Sequence, residues 1–167
     1  IFTSNVDGQF QKAGFSQRQI HECHGSIHWL QCTDSGCGEI WSAKDFNPVV
    51  DEEHCRLISE LPSCPACGKL ARPNILMFGD WGWIPERYDD QEILLDAWLN
   101  RPSKLVVIEM GAGTTIPSVR RFGERQSASL IRINVRESEG RGGDVVSIPL
   151  GALEALSMVE AVMTKIG

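Results

Sequence analysis

The stretch Leu105-Val106-Val107-Ile108-Glu109-Met110-Gly111-Ala112-Gly113 decides the fold class. Its first four residues form a continuous apolar run, which is typical of a strand covered on both faces. The glycines predict a turn, and residues 116–126 are predicted to form a helix after it. Two further strands, at residues 130–135 and 145–148, and a helix over residues 151–166 complete an α/β pattern with a mostly parallel sheet.

The first hundred residues show a different pattern, in which short strands alternate with polar turns. Strands are predicted at residues 1–4, 19–23, 27–32, 38–41 and 70–73. A helical turn is expected at residues 9–13, and an amphipathic helix at residues 91–99, where apolar side chains recur at helical spacing. Residues 45–62 are polar, so we expect a loop with one helical turn there. Residues 137–144 are expected to form a charged, glycine-rich turn.

The composition narrows the class of protein. The 167 residues suffice for one domain with a small insert, and 42% apolar and 23% charged residues are ordinary for a folded chain. The net charge of −6 disfavours nucleic-acid binding, because no basic block is available to neutralise phosphates. No apolar run approaches a membrane span and no secretory signal opens the chain, so no membrane partner is expected. Because the chain begins with a strand at Ile1 rather than with Met, we expect residues before it.

Four of the six cysteines form two close pairs, Cys32 with Cys37 and Cys64 with Cys67. Without a secretory signal, this pattern predicts a metal site in a reducing compartment, and hence a cytoplasmic protein, rather than a disulfide framework. Four thiolates at two tight turns suit a closed, tetrahedral Zn²⁺ site. His54 and Cys55 lie between the pairs and are competing ligands, and unliganded thiols are the alternative.

The glycine turn at Gly111-Ala112-Gly113 is a candidate site for a dinucleotide. Glycines let a ligand approach the backbone closely, and the start of the following helix favours phosphate. The next strand ends at Ile133-Asn134, where the Asn134 side chain can hydrogen-bond a ribose hydroxyl. A glycine turn after a strand is also commonly only a turn, so both interpretations stay open.

The candidate catalytic residue is His24, within Glu22-Cys23-His24-Gly25-Ser26. The ordinary pKa of a histidine suits a general base near neutral pH. The alternative is a structural histidine that caps a strand. Neighbouring side chains on a strand point to opposite faces, so a direct pair of His24 with Cys23 is not expected. Cys23 and Cys55 are expected to be buried small hydrophobic residues.

Together these motifs resemble the sirtuins, the NAD-dependent protein-lysine deacylases. Six segments carry the resemblance, and they occur in the family's order: Thr3-Ser4-Asn5-Val6-Asp7, Ala13-Gly14, Glu22-Cys23-His24-Gly25-Ser26, Arg72-Pro73-Asn74-Ile75-Leu76-Met77-Phe78-Gly79-Asp80, Gly111 with Pro117, and Ile133-Asn134. The four paired cysteines lie between Ser26 and Arg72, as they do in the family. The chain departs from the family pattern at Ser4, where glutamine is usual, and at Ala112-Gly113, where threonine and serine are usual. Trp81-Gly82-Trp83 is unusually bulky beside the substrate segment.

The resemblance implies roles for residues of this sequence. It implies that His24 is the general base that acts on a ribose hydroxyl, and that Asp7 holds the nicotinamide carboxamide. The implied cofactor-binding residues are Ser4, Asn5, Asp7, Gly111, Ala112, Gly113 and Asn134. The implied residues of the acyl-lysine tunnel are Ile75, Leu76, Phe78, Gly79 and Asp80, which also pair with the substrate backbone.

The implied activity is NAD-dependent protein-lysine deacylation (deacetylation), which moves the acyl group of a protein or peptide to ADP-ribose and releases nicotinamide. ADP-ribosyl transfer, NAD hydrolysis and a non-catalytic, zinc-stabilised binding module are the alternatives. The implied fold is the C-terminal part of a Rossmann-like NAD-binding domain, residues 1–27 and 74–167, with a zinc module inserted at 28–73. The family's Gly-Ala-Gly-x-Ser phosphate loop is not among these 167 residues, and we expect it in a longer chain.

Overall fold

The structure is a computed structural model that describes residues 1–101, 104–126, 128–140 and 145–166. The chain separates into two compact units, Ile1–Arg101 and Pro102–Gly167. The predicted division of the chain around a module at 28–73 stays a prediction. Residues 141–144 of the predicted glycine-rich turn lie outside the described residues. No described helix is long and apolar enough to span a membrane.

The first unit is built from short strands and two α-helices. The strands are β1 (Phe2–Thr3), β2 (His21–Glu22), β3 (Gly25–Cys32), β4 (Ile40–Ser42), β5 (Val50–Asp51), β6 (Arg56–Leu57) and β7 (Ala71–Ile75). The two α-helices are α1 (Gln9–Lys12) and α2 (Glu86–Leu99), and Gln17–Gln19 form a short 3-10 helix. Helix α2 begins at Glu86 instead of residue 91, because its first turn is polar and carries Glu86 and Asp89, which a helix N-terminus favours.

Strand pairing defines the topology of this unit. Strands β1 and β2 are parallel, with Phe2 opposite His21 and Thr3 opposite Glu22. Strand β3 is the centre of an antiparallel sheet with the order β4-β3-β7. The Cys23 amide donates to the Thr3 carbonyl at 2.9 Å, which extends the β1–β2 pairing by one step. Both strands of a parallel pair end at the same edge, so the chain emerges side by side after β1 and after β2.

A hairpin replaces the loop that was expected at residues 45–62. Strands β5 and β6 are antiparallel, with Val50 opposite Leu57. The Asp51 carboxylate accepts hydrogen bonds from the backbone amide of His54 at 3.0 Å and from its ring at 2.9 Å, and so closes the turn. Two-residue strands are too short to show an alternating pattern. Cys55 lies exposed at this turn, so the expected burial is wrong for Cys55 and correct for Cys23.

A buried carboxylate ties both α-helices of the first unit to β2. The Glu22 side chain is 2% exposed and accepts hydrogen bonds from Arg87 at 2.9 Å and from Gln11 at 3.0 Å. The Gln91 side chain accepts the Glu22 amide at 2.8 Å. The Arg87 guanidinium also lies 4.5 Å from the centroid of the Trp29 ring, at cation–π distance. Glu22 is tolerated in the interior because an arginine and amide groups surround it.

Gly25 brings β3 close against β7. Its φ is +78°, and a Cβ atom at this position would clash with the carbonyl oxygen of Asn74. In the register, Gly25 lies opposite Ile75. Just beyond that pair, the Leu76 amide donates to the His24 carbonyl at 3.0 Å. The backbone at His24 is therefore fixed to the segment after β7 at a separation that only glycine permits.

The second unit contains a parallel sheet with the order β10-β9-β8. Its described elements are β8 (Val106–Met110), α3 (Ser118–Arg125), β9 (Ser129–Ile133), β10 (Val145–Ile148) and α4 (Ala152–Ile166). Arg132 of β9 is buried and pairs with Glu109 of β8 at 2.6 Å and with Glu124 of α3 at 2.9 Å. This ion-pair network links two neighbouring strands and the helix between them.

Strand β8 is covered on one face within the described part of its unit, and not on both as its apolar run indicated. Helix α3 packs on the face of Val107, where a Cβ atom at Gly123 would lie 3.5 Å from the valine side chain. On the opposite face, Val106 is 54% exposed and Ile108 is 53% exposed. An apolar run cannot reveal this asymmetry, because it does not say which element packs on each side.

We expect Gly25→Ala to destabilise the protein by about 2–5 kcal/mol, since it adds a backbone clash to the cost of a positive φ. Gly14→Ala is the matched control, because Gly14 has a φ of +92° but open space around its Cα. That control should cost only about 1–2 kcal/mol. Urea unfolding measures both, and equal losses would contradict the close approach of β3 and β7.

Candidate functional site

Two segments meet at the edge where β1 and β2 end. Residues 4–7 follow β1, and His24 follows β2. The Ile27 amide donates to the Val6 carbonyl at 2.9 Å, so β3 holds the segment that carries Ser4, Asn5 and Asp7. Asn5 is exposed, whereas Ser4, Asp7 and His24 are half-buried. The structure therefore brings these four sequence-predicted residues to one edge of the first unit.

The two residues before His24 are packing residues. Burial raises the pKa of the Cys23 thiol to about 11, which keeps it protonated and unsuited to be a nucleophile at neutral pH. The His21 ring is 2% exposed and packs against Phe2 and Tyr88, with ring centroids at 5.0 and 4.6 Å. Burial also lowers the pKa of His21 and favours its neutral form. His24 is the less buried of the two histidines and the one that water can reach.

An ion pair shapes the segment after β7, where the substrate residues were predicted. Both carboxylate oxygens of Asp80 accept hydrogen bonds from Arg72, at 2.8 and 2.7 Å. Asp80 also accepts the amides of Met77 at 3.3 Å and Gly82 at 3.2 Å. Gly79 has a φ of +64°, which lets the chain reverse there. The Asp80 side chain therefore folds residues 77–82 into a closed loop.

The tip of this loop presents aromatic side chains to solvent. Phe78 is 88% exposed and Trp81 is 100% exposed. Leu76 is 37% exposed, and Ile75 is half-buried at the base of the loop. Large apolar side chains exposed on a loop that hydrogen bonds hold in place are typical of a surface that contacts another molecule.

Gln31 and Asn74 form a support beneath this loop that the sequence did not reveal. Gln31 is fully buried and donates to the Gly82 carbonyl at 2.7 Å. Its side-chain oxygen accepts hydrogen bonds from Asn74 at 3.0 Å and from the Ile84 amide at 3.2 Å. Two polar residues on neighbouring strands therefore anchor the far end of the loop. Nothing in the local sequence signals their pairing, which depends on the register of β3 and β7.

The four paired cysteines converge at the end of β3. Their sulfur atoms all lie within 4.8 Å of one another, in the one metal-capable group among the described residues: Cys32, Cys37, Cys64 and Cys67. The Gly68 amide donates to the Cys64 carbonyl at 2.8 Å, as expected for a tight knuckle. His54 and Cys55 are not members of the group, so the competing ligands are excluded.

The sulfur spacing fits a zinc ion. The Sγ atoms of Cys32 and Cys67 are 3.6 Å apart, and those of Cys37 and Cys64 are 3.7 Å apart. A tetrahedron of zinc–sulfur bonds of about 2.3 Å has edges of about 3.8 Å. The Lys69 ammonium pairs with the Asp34 carboxylate at 2.6 Å and joins the two knuckles outside the cluster. The cysteines are thus positioned to bind a zinc ion whose four positions protein ligands fill.

The second unit has a cavity of about 240 Å³ at the carboxyl ends of its parallel strands. Gly111, Gly113 and Asn134 line it, together with Arg136 and with Ala152 at the start of α4. Gly111 has a φ of +67°, and its amide donates to the Ile133 carbonyl at 3.0 Å. Ligands of open α/β sheets bind at this edge, and a helix N-terminus favours an anionic group.

A network of turn contacts shapes this cavity. Asn134 donates to the carbonyl of buried Ala112 at 3.2 Å and accepts the amides of Arg136 and Glu137 at 3.0 Å. Glu137 accepts both the hydroxyl and the amide of Thr114, at 2.5 and 3.1 Å. These hydrogen bonds lower the pKa of the Glu137 carboxyl. The sequence indicated Asn134 but not Glu137, because the partner of Thr114 lies far away in the chain.

The fold and the cysteine cluster together define an α/β protein with a zinc module. A family model described as the Sir2 family matches residues 1–91, which is more than half of the chain. The chain belongs to the Sir2 family, and the sirtuin resemblance is confirmed. The predicted fold class, a mostly parallel α/β fold with a zinc-binding module, is confirmed as well.

Relatives and solved structures agree with this family. The NAD-dependent protein deacylase of Pyrococcus furiosus is 30% identical over 148 residues, which cover 89% of this chain and 48% of the relative. The NAD-dependent protein deacylase of Aeropyrum pernix is 28% identical over 157 residues, which cover 92% of this chain and 56% of the relative. This chain thus spans about half the length of these curated relatives. A Sir2 structure with a p53 peptide and NAD⁺ is 22% identical with a TM-score of 0.61, and the match covers 99% of this chain and 63% of that one.

We expect Cys64→Ser to abolish stoichiometric zinc binding and to lower the melting temperature, because the metal supplies much of the folding free energy of such modules. Cys55→Ser is the matched control, since Cys55 is an exposed thiol outside the cluster. Zinc content by elemental analysis and thermal melts with and without chelator measure the effect. Equal zinc content in both variants would contradict the four-cysteine site.

We expect the Asp80–Arg72 pair to stabilise the fold in a pH-dependent way. Burial raises the pKa of Asp80, but the Arg72 ion pair and the amide hydrogen bonds outweigh it, so the pKa is lowered. The stabilisation is present above the unfolded carboxyl pKa of about 3.9 and is lost as pH falls through the lower folded value. Asp80→Asn should flatten the decline in stability below about pH 4. Parallel stability curves for parent and variant would contradict this assignment.

Proposed function

We propose that the protein is an NAD-dependent protein-lysine deacylase that transfers the acyl group to ADP-ribose and releases nicotinamide. The observation that carries the proposal is the shared edge of β1 and β2, which sets residues 4–7 beside His24 and next to the loop after β7. The chain spans about half the length of its relatives, which are NAD-dependent protein deacylases, and the activity belongs to the whole protein. A cytoplasmic location and the absence of nucleic-acid and membrane partners are part of this proposal.

His24 is the general base in this proposal. NAD supplies the ribose carbon to which the acyl oxygen bonds as nicotinamide leaves. The imidazole of His24 takes the proton of a ribose hydroxyl. The hydrogen bond from the Leu76 amide to the His24 carbonyl fixes the backbone that carries this side chain. Because Cys23 is buried and protonated, the step does not use a thiolate.

The segment after β1 binds the nicotinamide end. Asp7 holds the carboxamide, and Asn5 and Ser4 contact the adjoining ribose. The exposure of Asn5 and the partial exposure of Asp7 leave polar groups available to a ligand. In the second unit, the proposed cofactor-binding residues are Gly111, Gly113 and Asn134, which line its cavity. Ala112 shapes that turn through its carbonyl.

The loop after β7 binds the acylated lysine and its peptide. Ile75, Leu76 and Phe78 line the acyl-lysine tunnel, and the backbone at Gly79 pairs with the substrate as an added strand. Asp80 acts by closing the loop on Arg72, as its hydrogen bonds indicate. The four cysteines hold zinc in a structural role, because four thiolates leave no open coordination position.

We expect His24→Ala to lower NAD-dependent nicotinamide release by about 10²- to 10⁴-fold, the usual contribution of a general base. His54→Ala is the matched control, because His54 is exposed in the β5–β6 turn and bonded to Asp51. Release is followed with an acylated peptide and NAD, and both variants are checked for folding. Parent-like release by His24→Ala would refute the assigned base.

Mass spectrometry of the products separates the alternatives. An acylated ADP-ribose supports deacylation, whereas an ADP-ribosylated protein indicates ADP-ribosyl transfer and free ADP-ribose alone indicates NAD hydrolysis. The absence of all three from the parent protein would leave a zinc-stabilised binding module as the better explanation.

A further inference from the structure

His28 of β3 contacts the segment that carries Asp7, although no motif pointed to it. Its Nε2 lies 3.0 Å from the backbone carbonyl oxygen of Asp7. A carbonyl oxygen only accepts hydrogen bonds, so Nε2 must carry the hydrogen and donate it.

Gly8 provides the space for this ring. Its φ is +68°, and a Cβ atom there would lie 2.6 Å from both Cδ2 and Nε2 of His28. The imidazole edge thus rests directly on the backbone of Gly8, which is buried beneath it. Only glycine satisfies both the backbone conformation and the close approach of the ring.

Ile27 and His28 together hold the segment Val6–Gly8, and we call these contacts the clamp. The Ile27 amide donates to the Val6 carbonyl at 2.9 Å, so consecutive residues of β3 bind consecutive carbonyls of the segment. The Asp7 carboxylate accepts the Gln9 amide at 3.2 Å, which joins the segment to α1. Within β3, the backbone amide of His28 donates to the hydroxyl of buried Ser26 at 3.2 Å.

We propose that His28 is a positioning residue, which holds Val6–Gly8 in the conformation that aims Asp7 at the nicotinamide carboxamide. This role rests on the proposed function of the segment. His28 is not one of the residues proposed to contact the substrate or to act as the base, so its loss should act on cofactor affinity and not on the chemical step. The fixed segment lowers the conformational entropy that NAD binding must otherwise remove.

Three variants separate the hydrogen bond from the packing. His28→Ala removes both, His28→Phe keeps a ring over Gly8 without a donor, and His28→Gln keeps an N–H donor of similar reach. In the full protein, the first two should raise KM for NAD about tenfold with kcat within about twofold, as expected for one lost hydrogen bond. His28→Gln should restore KM to within about threefold of the parent.

Amide hydrogen exchange tests the clamp without an activity measurement. Exchange at Ile27 and Gln9 should accelerate in His28→Ala and His28→Phe but stay slow in His28→Gln. The Cys23 amide, bonded to Thr3, is the internal control and should not change. Unchanged exchange at Ile27 and Gln9, or a His28→Gln variant as impaired as His28→Ala, overturns the proposal.

The two readouts also separate this inference from the proposed function. If the parent protein turns over no NAD, the deacylase proposal fails, and the exchange pattern alone then decides whether His28 holds the segment. If turnover is normal and KM does not change in His28→Ala, the positioning role is overturned while the deacylase proposal stands.

Discussion

The close backbone contact between Gly25 and Asn74 is the constraint on which the first unit depends. It lets β3 and β7 pair directly beside His24, and it leaves the His24 carbonyl within reach of the Leu76 amide. Strand β3 then continues from Gly25 to Cys32, about 23 Å away at the usual rise per residue. One strand thus joins the candidate base at one end to the zinc ligands at the other.

Each unit also buries a carboxylate against an arginine, Glu22 with Arg87 and Glu109 with Arg132. Such pairs contribute little net stability, because the loss of hydration offsets much of the attraction. Removing one partner is costly, since it leaves a buried charge uncompensated. Glu22 with Arg87 joins β2 to α2, whereas Glu109 with Arg132 joins the neighbouring strands β8 and β9, and a shifted register of those two strands would separate its partners. We therefore infer that the Glu109–Arg132 pair contributes to the register of β8 and β9 more than to stability.

The sequence predicts best what depends on local spacing. The two cysteine knuckles, the strand at 27–32 and the α/β order after residue 105 all follow from residues close together in the chain. The β5–β6 hairpin was missed because two-residue strands carry no period. The contact of His28 with Asp7 and the Gln31–Asn74 pair depend on strand register across tens of residues. The exposed face of β8 depends on which neighbour packs there, and an apolar run does not contain that information.

The β5–β6 hairpin has a further consequence for how this chain can change. Its base is closed by hydrogen bonds from the amides of Ile58 and Val49, while Glu52 and Glu53 at its tip are exposed. Added residues at the tip would leave that base intact, and doubling a flexible loop costs only about 0.6 kcal/mol. The hairpin tip is therefore a site that tolerates insertions. A reporter or a recognition peptide could be grafted there without disturbing the edge where β1 and β2 end beside His24.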